Sequence, residues 1–181
     1  MAQTITLRRA APSDLAGVDR LLMRSYPRLL AADYPPSTLV LAVPRFARAQ
    51  PQLLASGRYF VAEDAQGRIL AAGGWSSHSP SGGPVAQSTG HVTTGHVTTG
   101  HVRHVATDPD VVRQGLGRMV MERVMQEARE AEVRWLDCLS TRTAVPFYRS
   151  LKFRAMNAQE LVLGPGIAFP VMRMVADLTR T

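Results

Sequence analysis

From Ile5 to Arg9 apolar and polar residues alternate, the period-two pattern of a half-buried strand. Pro12, Ser13 and Asp14 then supply helix-start chemistry, and Leu15, Val18, Leu21 and Leu22 recur at helical spacing. A second helical stretch is predicted between Ser37 and Ala55, broken or kinked near Pro44 and Pro51, with Tyr26, Tyr34 and Pro35-Pro36 in the connection before it. At Arg58 the period changes. Tyr59 to Glu63 and Ile69 to Trp75 are strand-like runs, and Asp64-Ala65-Gln66-Gly67 between them predicts a hairpin. Ser76 to Gly90, rich in Ser, Gly and Pro, predicts a long exposed loop.

Beyond the loop, His101 to Thr107 predicts a strand that stops at Asp108-Pro109. Gly115 then opens a helix carrying Leu116, Met119, Val120, Val124 and Ala128 at three- and four-residue spacing. Val133 to Leu139 is the next predicted strand, Thr143 to Leu151 a short helix, and Glu160 to Leu163 and Phe169 to Val175 two last strands around Gly164-Pro165-Gly166. No linker splits the chain, so residues 1–181 are expected to form one α/β domain, a mixed sheet of about seven strands with helices on both faces.

One internal repeat interrupts this pattern. Thr-Gly-His-Val occurs three times between Thr89 and Val102 at a period of five, inside a loop expected to span 76–100. A period of five matches neither a strand nor a helix, so His91, His96 and His101 would share no face of a regular element. A metal site built from these three with His104 is one reading, and a tandem duplication that lengthens a loop is the other. With no carboxylate or Cys in the segment, no metal is expected.

Composition narrows the function classes. The 181 residues are 45% hydrophobic and 19% charged, which excludes a disordered chain or a rod. A lone Cys138 cannot form an internal disulfide, and the first 25 residues lack a signal-peptide order, so a cytoplasmic location is expected. No apolar run reaches the length needed to cross a bilayer, and no membrane partner is expected. The net charge of +7 favours an anionic cofactor or a polyanion. Arginines are scattered rather than clustered and aromatics are only 6%, so nucleic acid is not expected as a partner.

Asp110-Val111-Val112-Arg113-Gln114-Gly115-Leu116-Gly117-Arg118 stands where a strand gives way to a helix. There the first-turn N–H groups lack helical partners, and glycines let an anion approach the backbone. The segment lacks the Gly-Lys-Ser/Thr of a P-loop and is too short for a dinucleotide fingerprint. Taken alone, the two glycines could equally serve helix–strand packing. Thirty-one residues downstream lies Ala144-Val145-Pro146-Phe147-Tyr148-Arg149-Ser150-Leu151-Lys152-Phe153.

In this order the segments resemble the GCN5-related N-acetyltransferases. Their marks are a Val-x-x-x-Pro strand end, an Arg/Gln-x-x-Gly-x-Gly/Ala loop and a downstream Phe-Tyr-x-x-x-Gly-Phe. The resemblance is motif-specific from His101 to Phe153 and extends in element order from Ile5 to Val175. It implies the acyl-CoA N-acyltransferase fold and acetyl-CoA as co-substrate. It also implies transfer of the acetyl group to an amine of a small molecule or peptide by direct attack in a ternary complex. Under the same resemblance the backbone of Val105, Ala106 and Thr107 pairs with the pantetheine arm, and the amides of Arg113, Gln114, Gly115, Leu116, Gly117 and Arg118 hold the pyrophosphate. Tyr148 protonates the leaving thiolate, and a homodimer is an expectation. His101 falls where some members carry a glutamate base; its imidazole could serve, or it could be an exposed strand histidine. His104 would face away from His101 in a regular strand.

Two positions depart from the family pattern: Val112 replaces the loop's Arg/Gln, and Lys152 replaces the glycine before Phe153. Tyr26, Tyr34, Trp75 and Phe169 are candidate acceptor walls, each with an alternative place in the core. Two other functions stay open at this level: a non-catalytic acyl-CoA sensor, and the histidine metal protein.

Overall fold

A computed structural model describes residues 4–78 and 98–179. The elements are β1 (Thr6–Arg9), α1 (Leu15–Leu29), α2 (Pro36–Phe46), α3 (Pro51–Ala55), β2 (Tyr59–Glu63), β3 (Ile69–Ser76), β4 (Thr99–Thr107), α4 (Leu116–Glu130), β5 (Trp135–Ser140), α5 (Val145–Ser150), β6 (Arg154–Gly164) and β7 (Ile167–Asp177). Seven strands form one sheet in the order β1-β2-β3-β4-β5-β7-β6. Every neighbouring pair is antiparallel except β4 with β5.

Helical periodicity decides which faces are covered. In α4, Leu116, Val120, Met121, Val124 and Ala128 are buried, and they form one core with Phe60, Trp75, Val102 and Leu136 of the sheet. In α1, Val18, Leu21, Leu22 and Ser25 are buried, and with α2 and α3 they pack on Tyr59, Val61, Ala72 and Ala106. Covered on both faces, β2 and β3 are buried at nearly every position, which is why they read as continuous apolar runs.

Several predicted boundaries shift. Pro44 lies inside α2, which ends two residues later at Phe46, and Pro27 lies inside α1. Both sit on exposed positions near the last turn, where the missing N–H removes one bond on the solvent side. β6 and β7 run eleven residues each, well past the predicted segments, because β6 is an edge strand whose mostly exposed side chains carry no apolar alternation. The third copy of the repeat lies in β4, so His101 is buried and not an exposed strand histidine. His91 and His96, with most of the predicted loop, lie outside the described residues. Among the described residues no group of three or more His, Cys, Asp or Glu could hold a metal ion. No helix there is long and apolar enough to cross a membrane.

Candidate active site

The site originates in a failure of strand pairing. β4 and β5 pair only across Thr99–Trp135, Gly100–Leu136 and His101–Asp137. Both strands then continue, β4 to Thr107 and β5 to Ser140, without further partners on each other. The sheet is therefore split into a V whose apex lies at His101 and Asp137.

A β-bulge in β4 contributes to this split. Ala106 pairs with Ala72 and Arg103 with Gly74, so His104 and Val105 together oppose the single residue Gly73. His104 adopts a left-handed φ of 46°, and the Tyr59 hydroxyl donates to its carbonyl at 2.8 Å. The regular alternation assumed for His101 and His104 thus breaks at His104. Val102 and Val105, three residues apart, both pack with the α4 core. Gly73 is required opposite the bulge, because a Cβ there would stand 2.9 Å from Val105 Cγ2 and 3.1 Å from Val120 Cγ1.

The bulge also sets which main-chain groups face the gap. The Asp108 N–H donates to Leu70 O at 2.7 Å, which makes Ala106 and Ala72 a hydrogen-bonded pair and turns the polar groups of Thr107 away from β3. Instead of a strand, α1 meets this free edge: the Ser25 hydroxyl donates to Thr107 O at 2.9 Å and the Tyr26 hydroxyl approaches Val105 O at 3.5 Å.

A cleft of about 520 Å³ occupies the gap, with Tyr26, Val105, Ala106 and Thr107 on one side and Thr141, Ala144, Phe147 and Tyr148 on the other. Its mouth is the turn between β4 and α4. Arg113 (φ 66°) and Gly115 (φ 84°) are both left-handed, a backbone form that gathers N–H groups into an anion-binding concavity. Gly115 caps α4 with no side-chain hydrogen bond, leaving the first-turn N–H groups of Leu116, Gly117 and Arg118 without helical partners. The two glycines divide the roles considered from sequence. At Gly115 the conformation is what requires glycine, since a Cβ would meet nothing within 4 Å. At Gly117 it is packing, because a Cβ would lie 3.1 Å from Thr107 Oγ1 and 3.5 Å from the Phe147 ring.

The turn is clamped from behind. Asp108 is buried, and its Oδ2 takes Arg68 Nη2 at 2.5 Å and Arg24 Nε at 3.2 Å, while Oδ1 accepts the Asp110 N–H at 2.9 Å. Asp110 in turn pairs with Arg24 and Arg28. Burial pushes the Asp108 carboxyl up, but the Asp110 N–H and the two guanidiniums outweigh it and hold it below its ordinary value. These arginines, scattered in sequence, gave no signal of a shared target.

Tyr148 is 5% exposed, and its ring packs edge-on against Phe147 and Phe153. Burial, and then the neighbouring Cys138, push the phenol well above its ordinary value, so it stays protonated throughout the working pH range. Burial likewise pushes the Cys138 thiol up to about 12, as expected of a packed cysteine and not of a nucleophile.

Of the residues singled out from sequence, Val105, Ala106, Thr107, Arg113, Gly115, Leu116, Gly117, Arg118 and Tyr148 all line this cleft, and Gln114 does not. His101 stands at the apex on the opposite sheet face from Gly100 and Val102, beside Asp137. Its Nε2 is buried without a hydrogen-bond partner. Burial lowers its pKa, partly opposed by Asp137. Among the candidate walls only Tyr26 reaches the cleft; Tyr34, Trp75 and Phe169 are core.

The profile of the acetyltransferase (GNAT) domain matches residues 55–155, more than half of the chain and both strands that border the split, β4 and β5. The chain belongs to the GNAT acetyltransferase family. It is accordingly an acyltransferase of the N-acetyltransferase type, and its mixed seven-stranded sheet is the acyl-CoA N-acyltransferase fold. A GCN5-related N-acetyltransferase from Rhodopseudomonas palustris superposes with a TM-score of 0.70 at 16% identity, covering 98% of each chain. The PaiA N-acetyltransferase of Thermoplasma acidophilum, solved with coenzyme A, does so with 0.65 at 11%, covering 96% of this chain and 99% of its own. A Drosophila melanogaster polyamine N-acetyltransferase that forms N-acetylagmatine gives 0.64 at 17%, covering 96% and 100%. No curated protein matches the chain in sequence.

Proposed function

We propose that the protein transfers the acetyl group of acetyl-CoA directly to the amine of a small molecule or peptide within a ternary complex, using the cleft between β4 and β5. The observation that carries this reading is the V-shaped gap, with free strand groups along one side, an uncapped helix start at its mouth and a protonated tyrosine at its head. In this reading the pantetheine amides take the place that β5 leaves empty beside Val105 and Thr107. The pyrophosphate rests on the N–H groups of Arg113 to Arg118. Val112 in place of the family's Arg/Gln removes a side chain and leaves those amides intact.

The reaction follows from the same arrangement. A neutral amine nitrogen attacks the thioester carbonyl, the C–S bond of the tetrahedral intermediate breaks, and the amide forms. Tyr148 donates its phenolic proton to the leaving thiolate, for which a phenol kept neutral by burial at the cleft is well disposed. His101, neutral and with a free ring nitrogen at the apex, takes the proton the amine loses.

Release of free thiol from acetyl-CoA in the presence of a panel of amines tests this. Tyr148→Phe should lower kcat by about 10²-fold or more while acetyl-CoA affinity changes by less than about threefold. Undiminished kcat in that variant would remove Tyr148 from the chemistry, and tight acetyl-CoA binding without turnover on any amine would favour a sensing module.

A further inference from the structure

Below the apex of the V, on the face of α1 and α2, four strands bring together side chains of which the transfer chemistry uses only His101. β4 supplies His101 and Arg103, two residues apart and so on one face. Ser76 of β3 is the register partner of His101 on one side and Asp137 of β5 on the other. Arg173 of β7 closes the row.

Their charges do not balance. Arg173 places Nε and Nη2 on Asp137 Oδ2 at 2.7 and 2.5 Å, and both side chains are nearly buried, so this pair is neutral as a unit. Arg103 is half-buried, and among the described residues its guanidinium donates only to neutral oxygens, Ser76 Oγ at 3.0 Å and Gln50 Oε1 at 2.7 Å. Among the described residues it has no carboxylate partner, and burial already disfavours its charge. Beside it, His101 is 6% exposed with Nε2 unpartnered. A buried ring nitrogen and a desolvated cation are each costly when unfilled.

We infer that the acceptor is an amine that also carries a carboxylate, whose carboxylate pairs with Arg103 and whose nitrogen is presented to His101. This rests on the acetyltransferase reading above and names its substrate class. Guanidinium has five donors in a planar fork, and Arg103 has spent two on neutral groups, leaving donors for a carboxylate. Residues two apart on a strand lie about 7 Å apart, a span that one small amino acid bridges through its amine and carboxylate. Arg103 also directly precedes the bulge at His104, on the strand whose next residues, Val105 to Thr107, line the cleft. A polyamine would instead bring a second ammonium to a floor whose one uncompensated charge is already positive.

The test uses the full chain, acetyl-CoA and matched pairs of acceptors, each an α-amino acid and the amine left when its carboxylate is removed, with a polyamine alongside. The carboxylated member should be used with kcat/KM at least about tenfold higher. Arg103→Gln should cut that value about 10- to 100-fold, chiefly through KM, and leave the decarboxylated member within about threefold. Arg103→Lys, which keeps the charge but not the fork, should recover part of the loss. An unchanged thermal response of both variants to acetyl-CoA shows that they are folded with the cofactor cleft intact. Preference for decarboxylated amines or the polyamine overturns the inference alone, as does an Arg103→Gln loss that falls equally on both members. Failure of acetyl-CoA to bind overturns the acetyltransferase reading and this inference with it.

Discussion

Asp108→Ala removes the carboxylate that fixes the turn between β4 and the α4 mouth. Three interactions are lost: two guanidinium contacts on Oδ2 and the Asp110 N–H on Oδ1. Arg24 and Arg68 are 43% and 52% exposed, so their ion-pair contribution is screened and the two together are worth about 1 kcal/mol. The bond to the Asp110 N–H, inside a turn whose acceptor is 3% exposed, adds about 1 kcal/mol. A loss of about 2 kcal/mol in a domain of this size lowers Tm by about 4–8 °C. The same turn leads into the left-handed residues Arg113 and Gly115, so acetyl-CoA affinity should fall severalfold as well. Asp108→Asn, which keeps an acceptor for the N–H, should lose about half as much stability. Thermal unfolding of the three proteins, with and without acetyl-CoA, measures both effects. A Tm for Asp108→Ala within about 1 °C of the parent, or an unaltered acetyl-CoA response, would refute the clamp.

Other consequences follow from individual contacts. His101 must be neutral to accept a proton, and burial lowers its pKa. The acid limb of kcat/KM should therefore have its midpoint below the ordinary histidine value of about 6.5 and disappear in His101→Gln; a limb that persists in that variant belongs to another group. Gly100→Ala would set a Cβ 2.7 Å from Trp75 Cε3 and 3.1 Å from Leu136 Cδ2. Overpacking at the root of the V should cost about 1–3 kcal/mol, read as a Tm lower by several degrees, and an unchanged Tm would mean the ring yields freely. Asp14, bonded to Arg8 at 2.8 and 2.9 Å, and Asp108 are both held below the usual carboxylate value. Their stabilisation is therefore fully present above about pH 4 and lost as pH falls through the folded values. Acid unfolding of the Asp14→Asn, Asp108→Asn double variant should be less pH-dependent than that of the parent between about pH 5 and 2; equal slopes would contradict this.

The sequence disclosed those features that depend on local period. β2, β3 and α4 follow from continuous apolar runs or helical spacing, and their observed limits lie within a residue or two of the expected ones. The lining of the cleft was also legible, since the glycine turn and Tyr148 belong to two short segments whose order carries meaning. What escaped depends on register between distant strands. The split between β4 and β5 is encoded in no local pattern, and the left-handed bulge residue is a histidine where glycine or asparagine would have given a signal. Asp137 and Arg173 meet only because β5 and β7 align, and Arg103 reaches Ser76 only through the register of β3 with β4. β6 escaped because an exposed edge strand needs no apolar alternation. His101 was assigned to an exposed strand as one alternative because it ends a duplicated segment, yet pairing with Ser76 and Asp137 carries that copy into the sheet.

Thermal unfolding of the full chain with and without acetyl-CoA tests whether the split sheet binds this cofactor. At a concentration about 100 times Kd, a ligand specific to the folded state stabilises by about 2.7 kcal/mol, or roughly 5–10 °C in Tm for a domain of this size. That shift is expected in the parent, at near-equal size in Tyr148→Phe, and reduced in Asp108→Ala. An unmoved Tm at saturating acetyl-CoA would mean that the gap between β4 and β5 does not hold the cofactor, and the proposed reaction would fall with it.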